Sequence, residues 1–136
     1  MGIETAIICL ALNIYFEARG EPVIAQRAVA QVTMNRADND PDRVCTEVFR
    51  PRQFSWTNRL SKSSKSDPNS LVNKLIKNTH SDPWNRSLEI ARSAVSGEYR
   101  GEFDGATHFY NPREGIPRWS KKLTRVQNVG SFVLMK

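Results

Sequence analysis

The 136-residue sequence is poor in the residues that build metal centres and crosslinked scaffolds. Its two histidines, His80 and His108, exclude a His-rich catalytic metal site of the HExxH kind. Its two cysteines, Cys9 and Cys45, cannot make a four-cysteine zinc site or a disulfide framework. No metal and no cofactor are therefore expected. The cysteines stand beside Leu10 and Val44 and are expected to be buried thiols, with a disulfide open to them only if their Cα atoms approach within roughly 7 Å. Long apolar runs are missing as well. The stretch over residues 6–12 falls far short of the roughly 20 residues of a membrane span, so no transmembrane segment is expected. Glu4 precedes that stretch and no lysine or arginine does, so the charged start of an export signal is absent too.

What remains is a globular composition, 39% hydrophobic and 25% charged, at the length of one domain. A chain this long buries roughly two-thirds of its unfolded surface. One domain over residues 1–136 is expected, with an exposed loop over about 57–70. The net charge of +6 is unevenly placed: −3 over residues 1–49, +6 over 50–77, −2 over 78–112 and +5 over 113–136. Two basic segments on a near-neutral scaffold fit an anionic partner, and nucleic acid, membrane headgroups and wall polymers all qualify. They fit equally a surface that is merely well solvated.

Hydrophobic spacing gives a mainly helical reading with a little strand, an α+β class. Ile3, Ile7, Leu10 and Ile14 recur at helical steps and predict an amphipathic helix broken by Gly20 and Pro22. A second helix follows with Ile24, Ala25, Ala28, Val29 and Val32, ending near Asn35. Val44, Cys45, Val48 and Phe49 form a short stripe, and Leu71, Val72, Leu75 and Ile76 another. The Ser/Lys-rich residues 61–70 read as exposed loop. A clearer helix starts at Ser81 or Asp82, carries Trp84, Leu88, Ala91 and Val95 on one face, and closes at Gly97. Segments 107–110 and 131–135 read as short strands.

Continuing the first stripe three places beyond Ile14 reaches Glu17. A carboxylate on the apolar face of a helix's last turn is partly desolvated and lies at the negative end of the helix dipole, and both effects raise its pKa. A general acid working near neutral pH needs that. The alternative is a glutamate paired with Arg19 or Arg27. Glu21, past Gly20, reads as a cap or supporting residue.

The run Leu10-Ala11-Leu12-Asn13-Ile14-Tyr15-Phe16-Glu17-Ala18-Arg19-Gly20-Glu21-Pro22 resembles the opening of the SleB-type cell wall hydrolases, lysozyme-like enzymes of spore-cortex lysis and phage lysins. The likeness continues through Gln26 to Val32, Asn35-Arg36, Val44-Cys45 and Val48. It resumes at Gln53-Phe54-Ser55-Trp56-Thr57, at Gly105-Ala106-Thr107-His108-Phe109-Tyr110-Asn111 and at Pro117-Arg118-Trp119. It implies a lysozyme-like, lytic transglycosylase-like fold and cleavage of the β-1,4 bond between N-acetylmuramic acid and N-acetylglucosamine in peptidoglycan. The family's acid falls on Glu17, which then serves as base in forming a 1,6-anhydro sugar. The alternative outcome is a hydrolytic muramidase, which needs a second carboxylate roughly 5 to 9 Å away; Asp104 and Glu102 are the candidates.

Gln53 and Ser55 are expected to hydrogen-bond acetamido or hydroxyl groups, and Phe54 or Trp56 to cover a sugar face unless they are core. Tyr110 is the second active-site candidate, unless it is a packing residue. His108 is read as a hydrogen-bonded structural histidine, Trp84 as core and Trp119 as rim. The family commonly ends in Gly-x-His-x-Phe-Tyr, whereas Gly130 here precedes Ser131-Phe132-Val133-Leu134-Met135, so the last strand is expected only to pack. The expected partner is the bacterial glycan strand, met by a monomer, with no nucleic acid involved. The expected site of action is the bacterial cell wall, and the expected route is that of a phage lysin, made in the cytoplasm of a bacterial host and released. The rival class is a non-enzymatic module binding an anionic polymer such as nucleic acid, which leaves the Glu-Ala-Arg-Gly-Glu run without a purpose.

Overall fold

A computed structural model describes residues 2–136. Its helices are α1 (Ile3–Ala18), α2 (Val23–Arg36), α3 (Pro41–Val48), α4 (Lys62–Lys65), α5 (Pro68–Leu75) and α6 (Asp82–Val95). Three short strands follow, β1 (His108–Tyr110), β2 (Arg125–Val129) and β3 (Phe132–Met135). Among the described residues no helix is long and apolar enough to cross a membrane.

α1 is the axis of the molecule, which corrects the amphipathic reading. Ala6, Ile7, Cys9, Leu10, Ala11, Leu12, Asn13 and Ile14 are buried around its circumference, because α2, α3, α5 and α6 all pack on it. Ile3, the first residue of the stripe, is 60% exposed. α2 approaches closely because Ala25, Ala28 and Ala30 present almost no side chain, and all three are fully buried. Each fully buried Leu or Ile of α1 contributes about 1.5–3 kcal/mol of transfer free energy.

The cysteines are not free thiols. Cys9 on α1 and Cys45 on α3 form a disulfide with their Cα atoms 5.3 Å apart. The expected burial is present, and it is the packing of α3 across α1 that brings the sulfurs together. The loop expected over 61–70 is also largely helical. Ser61 Oγ accepts from the Ser64 N–H, and the Asp67 carboxylate accepts from the Ser70 N–H. These polar side chains cap α4 and α5, which is a helix-starting role and not a loop-forming one. At α6 the expected cap is found: Ser81 Oγ accepts from the Trp84 N–H, and Trp84 is buried.

The sheet has the order β1-β3-β2 and is antiparallel throughout. β2 is the strand the sequence pattern hid. β3 is the middle strand and is buried along its whole length, so the terminal segment does more than pack. A two-residue turn, Gly130-Ser131, joins β2 to β3 and lies against the corner between α1 and α2. Glu21 Oε1 accepts from the Ser131 N–H at 3.0 Å, which gives Glu21 the supporting role expected of it. Gly130 has φ +55, and a Cβ there would lie 2.9 Å from both Ala25 Cβ and Glu21 Oε1.

Candidate active site

Glu17 sits one helical turn beyond Asn13, where α1 is about to end. The Asn13 side chain is fully buried; its Oδ1 accepts from Trp56 Nε1 at 2.8 Å and its Nδ2 faces Thr33 Oγ1 at 3.4 Å. That pair fixes the last turns of α1 against α2 and against the segment after α3. Glu17 is the next polar side chain down the helix on the same side, and it opens into a cleft of about 710 Å³.

Three pieces of chain complete the cleft. The first is the segment after α3, from Arg52 to Asn58. Arg52 has φ +65, an uncommon conformation for a residue with a side chain, and it leads directly into Gln53 and Phe54. Thr57 Oγ1 donates to the Phe54 carbonyl at 2.8 Å and tightens the turn. The second piece is the sheet, whose Phe109 and Phe132 contribute the floor with Phe54. These rings are stepped, Phe54 to Phe109 at 6.1 Å and Phe109 to Phe132 at 5.1 Å between centroids. The third piece is residues 111–119, folded back over the opening. Asn111 Oδ1 accepts from the Arg113 N–H and starts a single 3-10 turn, Pro112–Glu114, which carries Glu114 to the cleft wall. Ile116 and Trp119 form an exposed apolar rim, 70% and 37% exposed.

Burial and the nearby negative charge of Glu114 push Glu17 up from 4.5 to about 7. Among the described residues none donates a hydrogen bond to its carboxyl group. The arginines offered as its partners are placed elsewhere: Arg19 lies over the Tyr15 ring at 4.6 Å and Arg27 over the Tyr99 ring at 5.5 Å. Glu17 is thus a carboxyl group pushed up to about 7 that faces open space, which is what a general acid working near neutral pH needs.

Of the other expected site residues, Gln53, Phe54, Ser55 and Tyr110 all line the cleft with Glu17. Phe54 is only 4% exposed, so it forms floor and not platform. Tyr110 meets Trp119 edge to face at 5.9 Å. Trp56 is placed differently: it stacks on Phe16 at 4.9 Å, meets Phe49 at 6.0 Å and gives its indole N–H to Asn13. It holds the wall up from behind, and the exposed ring at the cleft is that of Trp119.

His108 is bonded at both ring nitrogens, Nε2 to Arg36 at 2.8 Å and Nδ1 to Thr107 Oγ1 at 3.0 Å. Burial, with the Arg36 charge second and opposed by Glu47, holds its pKa below the ordinary histidine value. Asp104 and Glu102 lie in a 3-10 turn, Glu102–Gly105, outside the cleft lining. The carboxylate that shares the cleft is Glu114. Sequence spacing gave no warning of it, since only the fold-back of residues 111–119 brings it near. Among the described residues no cluster of three or more His, Cys, Asp or Glu side chains is arranged to hold a metal.

Known proteins resemble the chain over nearly its whole length. The spore cortex-lytic enzyme of Halalkalibacterium halodurans is 28% identical over 134 residues, covering 96% of this chain and 34% of that protein. That of Oceanobacillus iheyensis is 26% identical over 137 residues, covering 98% of this chain and 42% of that protein. The chain thus spans between about a third and two-fifths of the length of these relatives. The catalytic domain of the germination-specific lytic transglycosylase SleB from Bacillus anthracis superposes with a TM-score of 0.69 at 23% identity, covering 98% of this chain and 95% of that one. The catalytic domain of the Bacillus cereus SleB protein gives 0.68, also at 23% identity, covering 98% and 91%. These likenesses bear out the expected lysozyme-like, mainly helical fold with a small sheet. The Cell Wall Hydrolase family profile matches residues 20–135, beginning just past Glu17, so the carboxylate rests on the geometry above. The chain belongs to the cell wall hydrolase family.

Proposed function

We propose that the chain is a peptidoglycan-degrading glycosidase that cleaves the β-1,4 bond between N-acetylmuramic acid and N-acetylglucosamine as a lytic transglycosylase. Family membership supports the enzyme class and the wall substrate. The observation that carries the mechanism is Glu17, a carboxyl group with a pKa near 7 and no hydrogen-bond donor among the described residues, facing an open cleft.

In the first half of the reaction the protonated Glu17 gives its proton to the glycosidic oxygen as the bond to the muramic acid C1 breaks. The departing sugar leaves with a 4-hydroxyl, and positive charge develops at C1 and the ring oxygen. The Glu17 carboxylate then takes the proton of the muramic acid 6-hydroxyl, and that oxygen bonds to C1. The product is a 1,6-anhydro end, no water is consumed, and Glu17 returns to its starting state. One carboxyl group suffices.

Glu114 favours a second reading. It faces the same cleft, and a carboxylate that activates a water would turn the outcome into hydrolysis. Mass spectrometry of digested sacculi separates the two, because an anhydro end is lighter than a reducing end by one water. Anhydro ends are the expected product, and reducing ends alone would exclude the transglycosylase.

Tyr110 lines the cleft with its ring braced by Trp119. If its hydroxyl steadies the developing charge, Tyr110→Phe lowers turnover about tenfold or more, equivalent to about 1.4 kcal/mol of barrier. The measurement is initial rate on sacculi with folded variant. Wild-type turnover would leave Tyr110 as a packing partner of Trp119.

A further inference from the structure

Arg36, at the end of α2, joins three separate parts of the cleft wall. Its Nε donates to Glu47 Oε1 on α3 at 3.2 Å. One terminal nitrogen donates to the Thr107 carbonyl at 3.1 Å and lies 2.8 Å from His108 Nε2. The other donates to Gln53 Oε1 at 2.7 Å. The side chain is only 16% exposed, and Glu47 beside it is 7% exposed.

A guanidinium has donors and no acceptor, so each atom that faces it must accept. For His108 this fixes the neutral ring with its proton on Nδ1, toward Thr107 Oγ1. For Gln53 it fixes which end of the amide is which. The carbonyl oxygen is turned to Arg36, and the NH2 group is the end left for the cleft that Gln53 lines. That nitrogen has no hydrogen-bond partner among the described residues. Rotating the amide would bring its N–H groups against the arginine and leave a buried charge short of an acceptor. Gln53 is therefore a donor of fixed orientation, unlike Ser55 beside it, whose hydroxyl both donates and accepts.

We propose that Gln53, oriented by Arg36, reads the N-acetyl group of the bound sugar by donating to its amide oxygen, and that it thereby selects N-acetylated over N-deacetylated wall glycan. The assignment rests on the glycan-cleaving function proposed above. A sugar hydroxyl adapts to either a donor or an acceptor, whereas an amide oxygen only accepts and pairs best with a donor that cannot turn away. A deacetylated sugar presents an ammonium in that place. It has no acceptor to offer, and the fixed N–H and the Arg36 charge behind it disfavour it. Arg36 is a positioning residue in this scheme.

The test compares rates on N-acetylated sacculi with rates on the same sacculi after N-deacetylation, at an ionic strength that screens the basic protein from the newly cationic wall. Wild type is expected to lose about tenfold or more on the deacetylated wall, chiefly in KM, the size of one well-made hydrogen bond. Gln53→Glu keeps an acceptor for Arg36 but offers oxygen at both ends. It is expected to fall about tenfold on the acetylated wall and to lose or reverse the preference. Arg36→Lys, with folding confirmed by its melting transition, is expected to narrow the preference although Gln53 is intact, because one ammonium cannot hold both Glu47 and Gln53. A general loosening would slow both substrates alike, so the ratio of rates separates positioning from mere support. A wild-type ratio in Gln53→Glu would overturn the reading of Gln53, and a wild-type ratio in Arg36→Lys would overturn the role of Arg36. Equal wild-type rates on the two walls would overturn the selectivity while leaving the proposed function standing; no cleavage of either wall would strike down that function itself.

Discussion

Glu17→Gln is expected to abolish release of muropeptides from sacculi, lowering the rate by about 10²- to 10⁴-fold or more. The substitution keeps the shape of the side chain and removes the transferable proton. The wild-type pH profile should show the same group. The active form in the first step is the acid, and with a pKa of about 7 the rate is expected to decline as pH rises above that value. Stability moves in a direction that separates chemistry from folding. In the unfolded chain the carboxyl group ionises near 4.5, and in the folded protein near 7, so the folded state binds the extra proton between those values. Wild-type stability on this account falls as pH rises from 4.5 to 7. Glutamine does not ionise, so the variant is expected to melt no lower than wild type at pH 7. A folded Glu17→Gln protein that still releases muropeptides would end the mechanism.

Replacing both cysteines, Cys9→Ser with Cys45→Ser, is expected to cost about 3–4 kcal/mol, the constraint that a crosslink spanning 36 residues places on the unfolded chain. For a protein of this length that lowers Tm by about 10–14 °C. Reductant should lower the wild-type Tm by a similar amount and leave the double variant unmoved. A wild-type Tm that stays put while thiol labelling shows the pair opened by reductant would refute the stabilising role of the bond. The bond also bears on the cleft, because α3 carries Glu47 two residues after Cys45 and Glu47 anchors Arg36. Such a pair closes in an oxidising compartment and stays open in a reducing cytosol.

The parts of the molecule visible in the sequence are those set by local chemistry. Ser81 caps α6 as its spacing requires, and α2 ends where Asn35 gives way to the polar stretch before Pro41. Glu17 was legible because it continues a helical stripe, even though that stripe is one side of a helix buried nearly all round. The strand β2 was not legible, since Arg125, Gln127 and Asn128 carry neither apolar alternation nor β-branched side chains. It is a strand because β3 pairs with it, with a register shift between Arg125 and Gln127. Glu114 and the Cys9–Cys45 bond were hidden for a shared reason: each depends on two distant segments meeting, which no window of sequence contains. Trp56 fell between the two readings offered for it, and the buried amide of Asn13 decided its direction.

The sheet order has a consequence for how the protein comes off the ribosome. β1 and β2 do not pair with each other; each pairs with β3, which is made after them. Until Phe132–Met135 emerges, β1 has no strand partner, the stepped phenylalanines lack their last ring, and the cleft floor is incomplete. Helices α1 to α6 can pack while synthesis continues, since their contacts are largely among themselves. The nascent chain is therefore expected to acquire its helical body first and its cleft last. By this topology the pocket that holds Glu17 is the last part of the molecule to be closed.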